Sequence, residues 1–250
     1  MNFIIPMAGR GSRFRREGFI LPKFLIPCAG RTLLEWSLQS LPLDLATQVV
    51  FVGLAADNDH GKLEEEIRNS LPALASKLSF TWLEEVTNGQ ATTVCAGITD
   101  LSETEPLVIY NIDTTFLDVG LRNRLLESDW QGLLGSFSSQ ASNLSYAALD
   151  ASGQVCRVVE KEVISPYALN GLYAFRSVAL FREAYQALGT EILNEKGEIF
   201  VAPLYEYLLQ KELSIVLSES EETHPLGTPV ELRRFEEISV DYGARFAVKG

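Results

Sequence analysis

The chain has 250 residues, 46% of them hydrophobic and 22% charged, with a formal net charge of −12. That length allows one large core, and no run approaches the ~18 uninterrupted apolar residues of a membrane span. The acidic balance excludes nucleic acid, whose phosphates need a basic surface, but leaves a nucleotide open, because a local cationic cluster is enough to bind one.

Phe3-Ile4-Ile5 opens the chain as a buried strand. It breaks at Pro6 into Ala8-Gly9-Arg10-Gly11-Ser12-Arg13, and Lys23 follows between Pro22 and Pro27. Leu34, Leu38 and Leu41 predict a helix over 31–41, and 48–53 reads as an apolar strand. Leu63, Ile67 and Leu71 predict a second helix, ended by Pro72. A strand over 78–83, a helix marked by Ala91, Val94, Cys95 and Ile98, and a strand over 106–112 complete the first half. This alternation predicts a parallel sheet covered on both faces.

In the second half, 132–137, 145–149, 155–160 and 169–175 read as strands with few helices between them, a mixed extension of the sheet. Val178, Phe181, Tyr185 and Leu188 predict a helix, and 202–210 another. A strand over 213–217 and a helix over 229–238 close the chain. Cys28, Cys95 and Cys156 are scattered and only His60 and His224 accompany them, so no zinc-ligand spacing is present. The cysteines read as reduced and mostly buried. No basic-then-apolar leader opens the chain, and the expectation is a cytoplasmic protein with no membrane partner.

The chemistry concentrates in four places. Gly9 and Gly11 let main-chain N–H groups approach a ligand closely. Ser12 adds a hydroxyl, Arg10 and Arg13 add charged forks, and Lys23 adds an ammonium, a set suited to phosphate oxygens. The loop is neither GxxxxGK[ST] nor GxGxxG. Asp113, read as ending the strand Val108-Ile109-Tyr110-Asn111-Ile112-Asp113, is a hard oxygen ligand placed where α/β sheets bind ligands. Gly89-Gln90 at a helix start offers room for a base and an amide to read it, and the preceding Asn88 is a good N-cap. Glu160-Lys161 is, as bare sequence, a surface charge pair.

Two stretches carry a resemblance. Ala8-Gly9-Arg10-Gly11-Ser12-Arg13-Phe14 and Pro22-Lys23-Phe24-Leu25-Ile26-Pro27 resemble the signature of the sugar-phosphate nucleotidylyltransferases, the NDP-sugar pyrophosphorylase family. The resemblance implies a single Rossmann-like three-layer α/β/α domain with a mixed, mostly parallel sheet, nucleotide-binding over 1–115 and acceptor-binding over 116–250. It implies a nucleoside triphosphate and a phosphorylated small-molecule acceptor as partners, Mg²⁺ as cofactor, and is compatible with a homo-oligomer. Arg13, Lys23 and Asp113 become the candidate catalytic residues, with Asp113 on the metal. Ala8, Gly9, Arg10, Gly11, Ser12, Gly89 and Gln90 become nucleotide contacts. Glu160, Lys161, Asn170 and Gly171 resemble the acceptor-binding elements, the Glu for hydroxyls and the Lys for phosphate. One departure stands out: many members carry a second metal-binding aspartate where this chain has Pro225, two residues before Gly227, which leaves Glu221 and Glu222 as substitutes. Pro225 keeps open a nucleotide-binding regulatory module without catalysis. Asn111-x-Asp113 keeps open a glycosyltransferase of related fold, although the neutral Asn111 weakens an Asp-x-Asp reading.

Overall fold

Strand β1 (Asn2–Pro6) is apolar throughout its middle because both of its faces are covered. In the computed structural model, which describes residues 1–247, Phe3, Ile5 and Met7 belong to one core and Ile4 to the other. The chain continues through a short helix α1 (Ser12–Arg16), a 3-10 turn at Lys23–Leu25, a ribbon of β2 (Pro27–Cys28) and β3 (Arg31–Thr32), and helix α2 (Leu33–Leu38). Helix α2 is shorter than its leucine spacing predicts. A capping box fixes its start, with Glu35 N donating to Thr32 Oγ1 at 3.2 Å and Thr32 N to Glu35 Oε2 at 2.7 Å.

Strand β4 (Gln48–Leu54), helix α3 (Lys62–Ser70), strand β5 (Leu78–Leu83), helix α4 (Gln90–Gly97) and strand β6 (Leu107–Tyr110) follow as the pattern predicts. Then come β7 (Thr114–Leu117), α5 (Leu121–Leu126), β8 (Gly132–Ser138), β9 (Tyr146–Leu149), β10 (Val155–Val159) and β11 (Tyr167–Phe175). Helices α6 (Val178–Lys196) and α7 (Tyr205–Gln210), strands β12 (Ile215–Glu219) and β13 (Glu222–Pro225), and helix α8 (Pro229–Ala247) complete the described chain.

Among the described residues, the main sheet has nine strands. Strands β5, β4, β1 and β6 lie side by side and parallel. Strand β11 runs antiparallel to β6 on one side and β8 on the other, and β12 pairs parallel to β8. The hairpin of β9 and β10 adds to the first residues of β11. Helices α4, α6 and α7 cover one face through Val94, Ile98, Phe181 and Leu208. Helices α2, α3 and α5 cover the other through Leu34, Leu38, Ile67 and Leu125. The result is a three-layer α/β fold with a mixed, mostly parallel sheet.

A third core brings the two ends of the chain together. Leu232, Phe235 and Tyr242 of α8 pack with Phe14, Ile26, Leu33 and Trp36, and the Trp36 and Phe235 rings lie 4.9 Å apart. Helix α8 therefore runs well beyond residue 238, because its apolar stripe has this surface to bury. Four short elements, α1, β7, α5 and β13, have too few residues to show a period. Of the three free cysteines, Cys28 is buried, but Cys156 is exposed on the edge strand β10, against expectation. Among the described residues, no helix is long and apolar enough to cross a membrane.

The packing of α4 on the sheet supplies a test. A β-carbon on Gly97 would stand 2.5 Å from Val52 Cγ2. Gly97→Ala should therefore lower stability by about 1–3 kcal/mol despite the better helix propensity of alanine. Urea unfolding measures it, and an unchanged midpoint would mean that the α4–β4 contact is looser than described.

Candidate active site

Chain order in the sheet reverses beside β1. From β1 the connections step outward to β4 and β5, then cross back to β6 on the other flank. The crevice outside the carboxyl ends of two such strands is where open α/β sheets bind ligands. The glycine loop leaves β1 there, and the Asn111–Asp113 turn leaves β6 there. Asp113 is thus not the last residue of a strand: β6 ends at Tyr110, and Asp113 stands in the turn before β7.

The loop is open toward solvent. Gly9, Arg10, Ser12 and Arg13 are exposed, and the space around the Gly9 α-carbon is empty to 4 Å. Gly11 adopts φ 58° as it enters α1, and a β-carbon there would meet Lys23 Cβ at 3.4 Å. Buried Phe14 anchors α1 from below. Lys23 is held by the turn after Pro22, and its Nζ donates to Asp113 Oδ2 at 2.8 Å. Burial opposes the charge on Asp113, but the Lys23 ammonium and the Arg13 guanidinium outweigh it and hold the carboxyl below its ordinary value. The structure thus brings Arg13, Lys23 and Asp113 together.

The C-terminal segment completes this corner. Strand β13 pairs antiparallel with β7, which sets Pro225 opposite Thr114. Leu226 N donates to Asp113 O at 2.7 Å. The point that a β-carbon on Gly227 would occupy lies 3.5 Å from Asp113 Oδ2 and 3.5 Å from Glu231 Oε2. Glu221 and Glu222 are committed elsewhere. Glu221 Oε2 accepts from Val119 N at 3.1 Å, and Glu222 lies between His224 and Arg245. Among the described residues, no cluster of three metal-ligating side chains forms. Asp113 still fits Mg²⁺ as a hard, ionised oxygen donor, since that ion commonly takes one or two carboxylates and completes its shell with phosphate oxygens and water.

Gly89 has a different reason to be glycine than room for a base. At φ 123°, its added β-carbon would lie 2.5 Å from Ile199 N. The main chain of Ile199 fills that room, donating to Asn88 O at 2.7 Å and accepting from Ala91 N at 3.0 Å. Gly89, not Asn88, occupies the N-cap position of α4. The Gln90 carboxamide donates to Asn111 Oδ1. Asn111 in turn needs Gly171: that residue adopts φ 91°, and a β-carbon on it would come within 3.0–3.1 Å of the Asn111 side chain. Asn170 is turned inside the sheet, packing over Gly135 and accepting from Leu172 N at 3.1 Å. It supports the irregularity in β11 and does not line the crevice.

Glu160 and Lys161 are more than a surface pair. The Glu160 side chain is 9% exposed and accepts from the Ser145 hydroxyl. Burial raises its carboxyl above the ordinary value, with Ser145 and Lys161 pulling the other way. Lys161 adopts φ 58°, and its Nζ stands 4.0 Å from Glu160 Oε1 and 4.4 Å from the centre of the Phe200 ring. Tyr173 lies buried in β11. Burial and then the charge of Glu160 raise its hydroxyl, and the charge of Asp113 also reaches it. Asn111 and Tyr173 lie in stretches with a sequence signal, Asn111-x-Asp113 and the strand after Gly171, whereas Phe200 carries none. Only the fold brings them to the crevice.

The 88–91 and 198–200 segments give a test. Gly89→Ala should drive them apart, lowering thermal stability and the hydrogen-exchange protection of the Ala91 and Ile199 amides. Unchanged protection would contradict the close approach of Ile199.

Three comparisons bear on this geometry. The family model described as the MobA-like NTP transferase domain matches residues 3–191. A nucleoside-diphosphate-sugar pyrophosphorylase from Vibrio cholerae RC9 has a similar structure, with TM-score 0.81 and 28% identity over 94% of this chain and 99% of that one. The inositol-1-phosphate CTP transferase of T. maritima shares the fold at TM-score 0.75 and 15% identity, over 95% and 94% of the two chains. A 2-C-methyl-D-erythritol 4-phosphate cytidylyltransferase from Idiomarina loihiensis is 35% identical over 97 residues, which is 38% of this chain and about a third (33%) of that relative's length. A strand-led glycine loop, a lysine and a carboxylate at the switch point, and a family match over three-quarters of the sequence agree: the chain belongs to the MobA-like NTP transferase domain family.

Proposed function

We propose that this nucleotidyltransferase moves a nucleoside monophosphate from a nucleoside triphosphate to a sugar phosphate or a similar small phosphorylated acceptor, releasing pyrophosphate, with Mg²⁺ at Asp113. The observation that carries the reading is the 2.8 Å contact of Lys23 Nζ with Asp113 Oδ2 at the mouth of the glycine loop. It sets a phosphate-seeking ammonium and a metal-seeking carboxylate within one substrate's reach. With the family established, the glycosyltransferase reading of Asn111-x-Asp113 falls away.

In this reading the first half binds the triphosphate. Main-chain N–H groups of residues 8–12 and the side chains of Ser12, Arg10 and Arg13 line its phosphates. Gln90, oriented by Asn111, faces the base. In the second half, Lys161 takes the acceptor phosphate and the buried Glu160 takes its hydroxyls. The acceptor's phosphate oxygen attacks the α-phosphorus in line, and pyrophosphate leaves opposite. The protein does no covalent work, so positioning and charge neutralisation carry the rate. Asp113 would hold Mg²⁺, which would supply positive charge to the phosphates when bound. Lys23 and Arg13 stabilise the charge that builds on the departing pyrophosphate. Unpaired cysteines and the lack of a membrane-spanning helix among the described residues support a cytoplasmic location.

Pyrophosphate release across a panel of nucleoside triphosphates and sugar or headgroup phosphates tests the proposal. Turnover with one pair is expected. Nucleotide binding without turnover across a broad panel would instead support a regulatory module. Lys23→Ala should lower turnover well over tenfold, because a charge-assisted phosphate contact worth about 1.5–3 kcal/mol is lost. Asp113→Asn keeps the shape and turn-forming ability of the residue and removes its charge, so Mg²⁺-dependent turnover should collapse while the chain still folds. Near-normal turnover in either variant would remove that residue from the proposed chemistry.

A further inference from the structure

Nothing at residue 225 can supply a second carboxylate to the metal: Pro225 is held in register with Thr114 and has no donor oxygen in its side chain. Resting on the nucleotidyltransferase reading, we propose that Glu231, from the first turn of α8, is the second metal-binding carboxylate.

The geometry comes from Gly227. The Leu226 N–H bond to Asp113 O ties this turn against the Asp113 turn. Asp113 Oδ2 and Glu231 Oε2 then approach one and the same point over the Gly227 α-carbon, each at 3.5 Å. Glycine at 227 puts no side chain into the space that both oxygens border. Two carboxylates facing one small gap repel each other unless a cation joins them. Lys23 serves one of them, through Asp113. Among the described residues, no lysine or arginine forms an ion pair with Glu231, so its charge has no partner of that kind here. Mg²⁺ in triphosphate sites is held by one or two carboxylates and the phosphates themselves, which matches Asp113 and Glu231 beside an open phosphate loop.

A structural role competes with this one. Thr228 caps α8, with Glu231 N donating to Thr228 Oγ1 at 3.2 Å, and Thr-x-x-Glu is the spacing of a capping box. Glutamine serves a capping box as well as glutamate does, so Glu231→Gln removes the charge and spares the cap. Thr228→Ala does the reverse.

Mn²⁺ binding followed by electron paramagnetic resonance, with ATP, CTP, GTP or UTP and no acceptor, separates the two roles. Losing a group that merely orients a ligand costs about 10–100-fold in metal affinity, so losing a ligating carboxylate should cost at least as much. Glu231→Gln should therefore weaken Mn²⁺ binding by about tenfold or more at an unchanged melting temperature, while Thr228→Ala should lower the melting temperature and leave Mn²⁺ affinity near wild type. Wild-type Mn²⁺ affinity in Glu231→Gln, or losses in both variants that track their melting temperatures, would overturn the proposal alone. A wild-type protein that binds no Mn²⁺ with any of the four nucleotides would overturn the nucleotidyltransferase reading and this proposal with it.

Discussion

Asp113 is a partly exposed carboxylate at the mouth of the crevice, and the cations beside it, which favour its charged form, are the constraint on which this corner depends. Lys23 reaches it from the turn after the glycine loop, and Arg13 adds its field from α1. Leu226 holds the Asp113 main chain from the other end of the sequence. The two ends of the sequence thus converge on the Asp113 turn, and each brings a part of the proposed site with it. The arrangement suits a triphosphate, which adds negative charge to the same corner and a metal ion to balance it.

The third core explains how such a corner is kept in place. Phe14 and Trp36 would line a shallow apolar surface on the N-terminal segment, and α8 covers it with Leu232, Phe235 and Tyr242. Tyr242 also reaches Thr115 Oγ1 at 3.1 Å, and Ser40 Oγ accepts from Phe116 N at 2.8 Å. These bonds are buried, where unmatched polar groups are costly, so they fix β7 and with it the Asp113 turn. A C-terminal helix distant from the chemistry in sequence is therefore part of its support. The segment at 198–200 has a parallel role on the other side. Ile199 locks the start of α4, and Phe200 meets Lys161, so the Gly89–Gln90 and Glu160–Lys161 segments share one strap.

Much of this was legible in the sequence. The parallel half of the sheet could be read because its strands are apolar on both faces and its helices show leucine at helical spacing. Lys23 and Asp113 could be singled out as candidates because proline, glycine and the end of an apolar run leave local signals, although the strand stops at Tyr110, short of Asp113. The short elements α1, β7, α5 and β13 have neither a helical period nor a long apolar run and were not legible. Gly89 illustrates a subtler limit. It reads as leaving room for a base, but the main chain of Ile199 that fills that room lies more than a hundred residues away. Glu160 and Lys161 looked like a surface pair until β9, β10 and β11 were folded around them. Glu231 was hidden inside an ordinary helix-capping pattern, and only the approach of Asp113 across Gly227 sets it apart.

The central claim is that Asp113 meets its nucleotide through a divalent ion. Without the ion, the carboxylate and the triphosphate repel each other at close range in a partly dehydrated crevice. Calorimetric titration of the wild-type protein with nucleoside triphosphates, in Mg²⁺ and again in excess EDTA, measures this directly. Tight binding in Mg²⁺ that is lost or greatly weakened in EDTA is the predicted result. Equal affinity in the two conditions would contradict the account, because it would leave Asp113 with no metal to hold.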